Sequence, residues 1–424
     1  MYLLGTSDDC LSSSRKACQP LGGWSVWATT GDSSWSWSDA RHSFERKTAK
    51  GAVALMVPLT TASFGHLPTP GADSPASGIT SALAITEAIK RQARNVEVSV
   101  FFLVGEYTGS IGSSRFIQDA SSTLACEVFG VESCLKLAYK SNLNFTSVNF
   151  SNFDAIVALD QLSYSDSPLY FHVDQRIDQA SNIALKSAKK LLCNMQIQKS
   201  KTNFLYSSPA TTYIDFLEAN NLLSGVNKTI VTFSRYDEFY NNPHVFTPSD
   251  TPSTNRQLNV ESIIEASNVV LRMILSSDAE VKVDNDLLQK LWYCFSVNFS
   301  CDFLNVSLNL SSSTPSYATN KFEESYSDVT VMVGTALSKI GMRPAYTAAI
   351  SPQLKIGEKW GPPWERSERV DYFNSSRYTL FVSSLFNKGN GARTVMLTTA
   401  SVGTFTLFTG TFLCGLLLFA AFHL

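Results

Sequence analysis

The sequence predicts an α/β fold, with a mostly parallel central sheet flanked by helices. Three observations carry this. Short apolar runs alternate with helix-period segments between residues 53 and 340, the order that parallel sheets with crossover helices produce. Runs such as Val96–Val104 (VEVSVFFLV) are almost continuously apolar, which suits strands buried on both faces. Gly/Ser-rich turns follow two of these runs, at Pro70–Gly78 and Gly105–Arg115, where open sheets place their sites.

In chain order, residues 1–45 are rich in Ser, Trp and Gly and read as irregular. Val53–Leu59 reads as a strand, Ala76–Arg94 as a helix and Val96–Val104 as a strand. Ala155–Leu162 and Asn203–Ser207 are strand candidates, with a helix over Asp174–Met195 between them. Thr229–Phe233 is a further strand, and Val260–Leu275 and Ser327–Ile340 are helices. Residues 296–320 are polar and low in charge and read as a solvated loop. Residues 343–378, with Pro344, Pro352, Trp360, Pro362, Pro363 and Trp364, read as irregular packing.

Of 424 residues, 44% are hydrophobic and the formal charge is −2. This suits a packed globular chain and argues against nucleic-acid or polybasic membrane-surface binding. No internal repeat or flexible Gly/Ser linker divides the chain. One domain over residues 46–385 followed by a membrane segment over 394–422 is therefore expected.

Between Arg393 and His423 there is no Asp, Glu, Lys, Arg or His. The apolar stretch Val402–Phe422 is long enough to cross about 30 Å of hydrocarbon. Thr398, Ser401, Gly403, Thr406 and Gly410 within the segment suit close helix contact in lipid. A cleaved lipid-anchor signal is the alternative, with Gly389, Asn390, Gly391 and Ala392 as its small-residue site. Seven Asn-x-Ser/Thr triplets, at Asn144, Asn149, Asn227, Asn298, Asn305, Asn309 and Asn374, point to a glycosylated lumenal or extracellular domain. Cys10/Cys18, Cys126/Cys134 and Cys294/Cys301 are close enough for short disulfide loops, or are buried thiols; Cys193 and Cys414 are left over. The start, Met1-Tyr-Leu-Leu-Gly5, lacks the charged flank of a secretory leader, so a longer natural N-terminus is expected.

The two strand-end turns, Pro70-Gly-Ala-Asp-Ser-Pro-Ala-Ser-Gly78 and Gly105-Glu-Tyr-Thr-Gly-Ser-Ile-Gly-Ser-Ser-Arg115, together resemble the di-zinc aminopeptidase (zinc-exopeptidase) family. That resemblance implies an aminopeptidase-like fold. It maps the metal positions onto Pro58, Ser74, Tyr107, Asp160 and Arg235, with the general base kept as Glu106 and Asp73 one place early. These residues are too few as ligands for a zinc pair, so neither metal nor cofactor is expected. His66 alone reads as a turn residue, and no Gly-x-Ser-x-Gly elbow or phosphate loop is present. An active zinc aminopeptidase is the alternative.

Further matches are ordered along the chain. They are Cys18-Gln-Pro-Leu-Gly-Gly-Trp-Ser-Val-Trp27, Gly105-Glu106 with Ile111-Gly-Ser-Ser-Arg115, Phe216-Leu-Glu-Ala-Asn-Asn-Leu-Leu-Ser-Gly225, Ala349-Ile-Ser-Pro352 and Ser376-Arg377. Together they resemble the nicastrin family. The resemblance implies a non-catalytic receptor or scaffold subunit of gamma-secretase, single-pass type I, in endoplasmic reticulum, Golgi, endosomal and plasma membranes. Implied partners are a presenilin-type aspartyl protease, an anterior-pharynx-defective subunit and a presenilin-enhancer subunit. Implied substrates are type I membrane-protein stubs of the Notch and amyloid-precursor types, met by Glu106, Tyr107 and Ser110. Glu106 has two readings, an amine-binding carboxylate or an ordering group at the start of a helix. The chain departs from the family in Ser110, where the family has Tyr. It also lacks most of the family's N-terminal lobe, of which residues 1–45 read as a remnant, and its cytosolic tail.

Overall fold

The computed structural model describes residues 24–31, 35–38, 43–46, 51–62, 69–93, 95–108, 110, 112–113, 116–117, 126–129, 134–137, 147–148, 150–178, 181–202, 208–275, 281–306, 313–318, 327–342 and 344–348, with two-residue strands at 4–5 and 394–395. The main elements are β1 (Trp24–Thr29), β2 (Ala52–Pro58), α1 (Gly78–Gln92), β3 (Val98–Leu103), β4 (Phe153–Leu159), β5 (Tyr170–His172), α2 (Ile183–Asn194), β6 (Gln198–Lys199), α3 (Pro209–Ala219), β7 (Thr229–Ser234), α4 (Val260–Leu275), α5 (Asn285–Ser296), α6 (Asp328–Lys339) and β8 (Ala345–Ala348).

Eight strands form one sheet in the order β6-β5-β7-β4-β2-β3-β1-β8. The inner four, β7-β4-β2-β3, are parallel, with Val157 opposite Val231 and Leu55, and Leu55 opposite Val100. β1 runs antiparallel to β3, β8 to β1 and β5 to β7. The expectation of a mostly parallel sheet is thus corrected to a mixed one. Antiparallel neighbours need no crossover helix, so segments from outside the alternating core extend the sheet at its flanks.

Strands β2 and β3 (AVALMVP and VSVFFL) are buried along their whole length. β-Branched and aromatic residues favour that pleated, enclosed setting. Phe101 is the centre of an aromatic cluster, with ring centroids 5.8 Å from Trp27, 5.1 Å from Phe116, 5.9 Å from Phe150 and 6.1 Å from Phe153. Helix α1 packs on β2, β3, α4, α5 and α6, and α3 packs on β2, β4 and β7. Close approach sets the entry of α1: a Cβ on Gly78 would meet the Leu159 carbonyl at 2.7 Å. Side chains at three helix starts accept backbone N–H groups: Asn182 from Leu185, Asp284 from Leu287 and Ser327 from Thr330. At the end of α6, Lys90 Nζ donates to the Ile340 and Gly341 carbonyls at 3.0 and 2.5 Å.

Other expectations also change. Residues 24–29 and 345–348, read as irregular, are strands of the main sheet, and α3 and α5 were not expected. Asn203–Ser207 lies outside the described residues. The helix expected over Asp174–Met195 starts only at Ile183. The loop expected to be solvated over 296–320 buries Phe299, Cys301, Leu304 and Tyr317. Cys294 and Cys301 form a disulfide with Cα atoms 5.3 Å apart, and Cys193 is free and exposed. Cys126 and Cys134 lie on paired strands, Cys126–Phe129 and Cys134–Leu137, whose side chains are outside the described residues, as are Cys10 and Cys18. Among the described residues no helix is long and apolar enough to cross a membrane. The segment expected to do so, 394–422, lies outside them apart from Thr394–Val395, which pairs with Leu4–Gly5.

Candidate functional site

Four parallel strands end on one edge of the sheet, and the chain leaving each end supplies the site. Pro58 closes β2 and is buried; its nitrogen carries no proton and its side chain offers no donor atom. The turn after β2 brings in Ser74. Gly105, at φ 71°, turns the chain after β3 and donates its N–H to Thr60 Oγ1 at 2.8 Å, which places Glu106 and Tyr107. Asp160 follows β4, where its N–H donates to the Phe233 carbonyl at 3.1 Å. Arg235 follows β7.

Ser74, Tyr107 and Asp160 converge. Ser74 Oγ lies 2.8 Å from both Asp160 Oδ1 and the Tyr107 hydroxyl, and Tyr107 donates to Asp160 Oδ2. Both carboxylate oxygens are therefore engaged inside the triangle. Burial pushes the Asp160 carboxyl up to about 7, against the lowering effect of those two hydroxyls. Burial, then the neighbouring Asp160 charge, raises the Tyr107 phenol well above its ordinary range.

The remaining positions are used otherwise. Arg235 is buried, and its guanidinium donates to the carbonyls of Leu162 (3.1 Å), Ser167 (2.6 Å) and Ser262 (3.1 Å) and to Glu265 (2.5 Å). It clamps three segments together. Asp73 turns aside from the triangle. Its Oδ1 accepts from the Ser163 N–H at 3.1 Å and the Ser163 hydroxyl at 2.7 Å. Asn242 Nδ2 bridges Asp73 Oδ2 at 3.1 Å and Asp250 Oδ1 at 3.2 Å. Burial raises both carboxyls.

Glu106 is fully buried. The Ser113 N–H donates to one of its oxygens and the Ser113 hydroxyl to the other, each at 2.7 Å. Burial lifts its carboxyl to about 8. Ser110, at φ 54°, donates its N–H to the Glu106 carbonyl at 2.9 Å. His66 lies outside the described residues. A zinc pair placed at Pro58, Ser74, Tyr107, Asp160 and Arg235 would meet one carboxylate, already doubly engaged, and one cation; this donor set does not fit it. Among the described residues no group of three or more His, Cys, Asp and Glu side chains is placed to hold a metal ion.

Sequence reasoning missed a segment packed beside these residues. The segment between β7 and α4 contributes Asn242 and Asp250, and also an aromatic chain. Phe246 lies 4.7 Å from Tyr107 and 5.3 Å from Tyr240, and Tyr240 lies 4.9 Å from Tyr236. Nothing in its spacing signals this, because the segment has no periodic pattern.

Of the seven triplets, three lie among the described residues: Asn227 and Asn305 are exposed and Asn298 half-buried. Asn144, Asn149, Asn309 and Asn374 lie outside them.

Comparison with known proteins then places the chain. Over 117 residues it is 36% identical to the nicastrin of Arabidopsis thaliana, covering 27% of this chain and 16% of that protein. Over 322 residues it is 22% identical to the nicastrin of Dictyostelium discoideum, covering 70% of this chain and 46% of that protein. The chain thus spans less than half the length of either relative. A solved structure described as the gamma-secretase component nicastrin superposes with a TM-score of 0.63 at 18% identity, over 80% of this chain and 64% of that one. It shares the fold. The family model of the nicastrin large lobe matches residues 53–274, more than half of the sequence, and the chain belongs to the nicastrin family.

Proposed function

We propose that this chain serves as a lumen-facing, non-catalytic subunit of a gamma-secretase-type intramembrane protease. The observation that carries the reading is the closed Ser74–Tyr107–Asp160 triangle. It fills the strand-end position that a peptidase of this architecture gives to metal, inside a chain matching the nicastrin large lobe. With no open coordination position, there is no place to activate water by a metal, and a non-catalytic role is the one left to the domain.

In this reading the apolar segment over 394–422 anchors the chain as a single-pass type I protein. The bulk of the domain over the membrane then selects substrates sterically, admitting short type I stubs and excluding long ectodomains. Its partners are the presenilin-type protease, the anterior-pharynx-defective subunit and the presenilin-enhancer subunit, and Notch-type and amyloid-precursor-type stubs are its substrates. Tyr107 and Ser110 are half-buried. Glu106 takes the ordering role, since its two oxygens are already held by Ser113.

The test is purification of the full-length tagged protein in mild detergent from its native cells. Co-purification of a presenilin-type protease, with loss of stub cleavage when the chain is depleted, is expected. Recovery of the chain alone, with cleavage unchanged on depletion, rejects the reading.

A further inference from the structure

His172 and Thr232 stand directly opposite each other on the antiparallel strands β5 and β7, so their side chains share one face of the sheet. Helix α3 packs on β7, and the hydroxyl of Ser208, just before the helix, lies 2.7 Å from Thr232 Oγ1. Between helix and strands is a recess of about 260 Å³, counting its mouth, bordered by His172, Asp174, Thr202, Ala210, Thr211 and Thr232 among others. Its enclosed part has room for about one water molecule.

His172 is 4% exposed. Its Nε2 lies 2.7 Å from Ser234 Oγ and 3.0 Å from the Tyr236 carbonyl oxygen, and neither of those residues borders the recess. A carbonyl only accepts, so Nε2 holds the proton and Nδ1 carries a lone pair. Burial lowers the imidazole to about 4, which keeps it neutral at pH 7. Nδ1 is buried and has no hydrogen-bond partner among the described residues. Another wall of the recess is the start of α3, which no side chain caps, the Ser208 hydroxyl being turned to Thr232. Pro209 has no N–H, and the Thr212 N–H goes to the Ser208 carbonyl at 3.1 Å. Ala210 and Thr211 therefore present the donors of that first turn.

We propose that this recess binds one buried water, which donates to His172 Nδ1 and accepts from the first turn of α3. A lone pair on one wall and N–H groups on the other call for a molecule that both donates and accepts. An anion would meet the Nδ1 lone pair and the Asp174 carboxylate, even though Arg176 holds that carboxylate at 2.9, 3.0 and 2.6 Å. A cation would face the positive end of the helix. Water serves both walls and matches the space. It joins strand β5 to the turn of α3 whose Thr212 Oγ1 lies 3.0 Å from the hydroxyl of Ser113, the residue that holds Glu106.

The test is a density map of the full-length protein, fine enough to show ordered water, for the parent and for His172→Gln. The glutamine amide keeps a donor near the place of Nε2 and has no atom at that of Nδ1. In the parent, a single spherical peak is expected within about 3.2 Å of both Nδ1 and an N–H of the α3 first turn. In His172→Gln that peak should be lost. A parent map without the peak overturns the proposal. So does a peak that bromide takes over when it replaces chloride in the buffer, since that marks an anion. A peak unchanged in His172→Gln overturns the role given to Nδ1. If the variant does not fold, the parent map and the bromide exchange decide alone.

Discussion

The two oxygens of Glu106 accept separately from the backbone N–H and the hydroxyl of Ser113, each at 2.7 Å. The Ser113 hydroxyl also lies 3.0 Å from Thr212 Oγ1 on α3. The carboxyl thus ties the turn after β3 to its own following segment and, through Ser113, to a helix from a distant part of the chain.

Ser113→Ala removes one of the two donors to a buried carboxyl. A loss of about 1–3 kcal/mol is expected in thermal unfolding of the described domain. With its carboxyl lifted to about 8, Glu106 is largely protonated at neutral pH, and Glu106→Gln is close to a copy of it. That variant is expected to stay within about 1 kcal/mol of the parent and to keep assembly with partner subunits. Failure of Glu106→Gln to fold would contradict the protonated state of the carboxyl rather than its ordering role.

Stability should fall as pH rises from about 6.5 to 8.5. Burial raises the carboxyls of Glu106, to about 8, and Asp160, to about 7, above their ordinary values. Each therefore contributes stability that is fully present below its unfolded pKa and lost as pH climbs through the folded one. His172 acts oppositely, since burial lowers it to about 4; its contribution is intact above its ordinary pKa and disappears as the solution is acidified. Melting temperatures across the 6.5–8.5 window therefore report the carboxyls, and Glu106→Gln should flatten the slope. A melting temperature that rises across that window refutes the assignment.

The strand ends were readable from sequence because each follows an apolar run and carries a Gly-rich turn or an acidic residue. Helix α4 emerged with its full bounds, Val260–Leu275, because its apolar spacing is strong. Helices α3 and α5 were missed although their signals exist: Ser208-Pro209 at the start of one and an Asp284 cap on the other. β1 was hidden among Gly, Ser and Trp, and only its partner β3, far along the chain, makes it a strand. The Asn242–Asp250 contacts to Asp73 could not be read at all, as they join positions 169 and 177 residues apart within an aperiodic loop.

That loop supplies another prediction. Asn242 donates to Asp73 and Asp250 and accepts from Asn255 Nδ2 at 3.0 Å. Asn242→Leu leaves two buried carboxyls each short of a donor, at a cost of about 2–4 kcal/mol. Limited proteolysis should then cut between residues 236 and 258 first. Cleavage elsewhere at parent rates would show that the loop is held by its aromatic contacts instead.

Phe101 offers a packing test independent of the polar site. It touches rings from β1, β4 and the segments around Phe116 and Phe150, and is fully buried. Phe101→Leu should cost about 1–2 kcal/mol and Phe101→Ala about 3–5 kcal/mol, since the enclosing sheet cannot collapse into the void. Equal losses for the two would mean that the cluster repacks freely.

The triangle itself can be taken apart as a cycle. Ser74→Ala and Tyr107→Phe each strip one hydroxyl from Asp160, leaving the other in place. Each alone should cost about 1–3 kcal/mol, because a buried carboxyl loses a donor. Combined, they leave Asp160 with only the distant Gln161 amide at 3.5 Å. Its carboxyl then has little to set against burial, so it rises further and the protonated form dominates. Once neutral, the group no longer needs the donors it has lost, so the double variant should cost less than the sum of the singles at pH 6. At pH 8.5, where keeping the proton is itself costly, that saving shrinks. Strict additivity at both values would mean that the three side chains are neighbours without being coupled. Zinc binding gained by the double variant would show instead that the two hydroxyls, rather than the missing ligands, keep metal out.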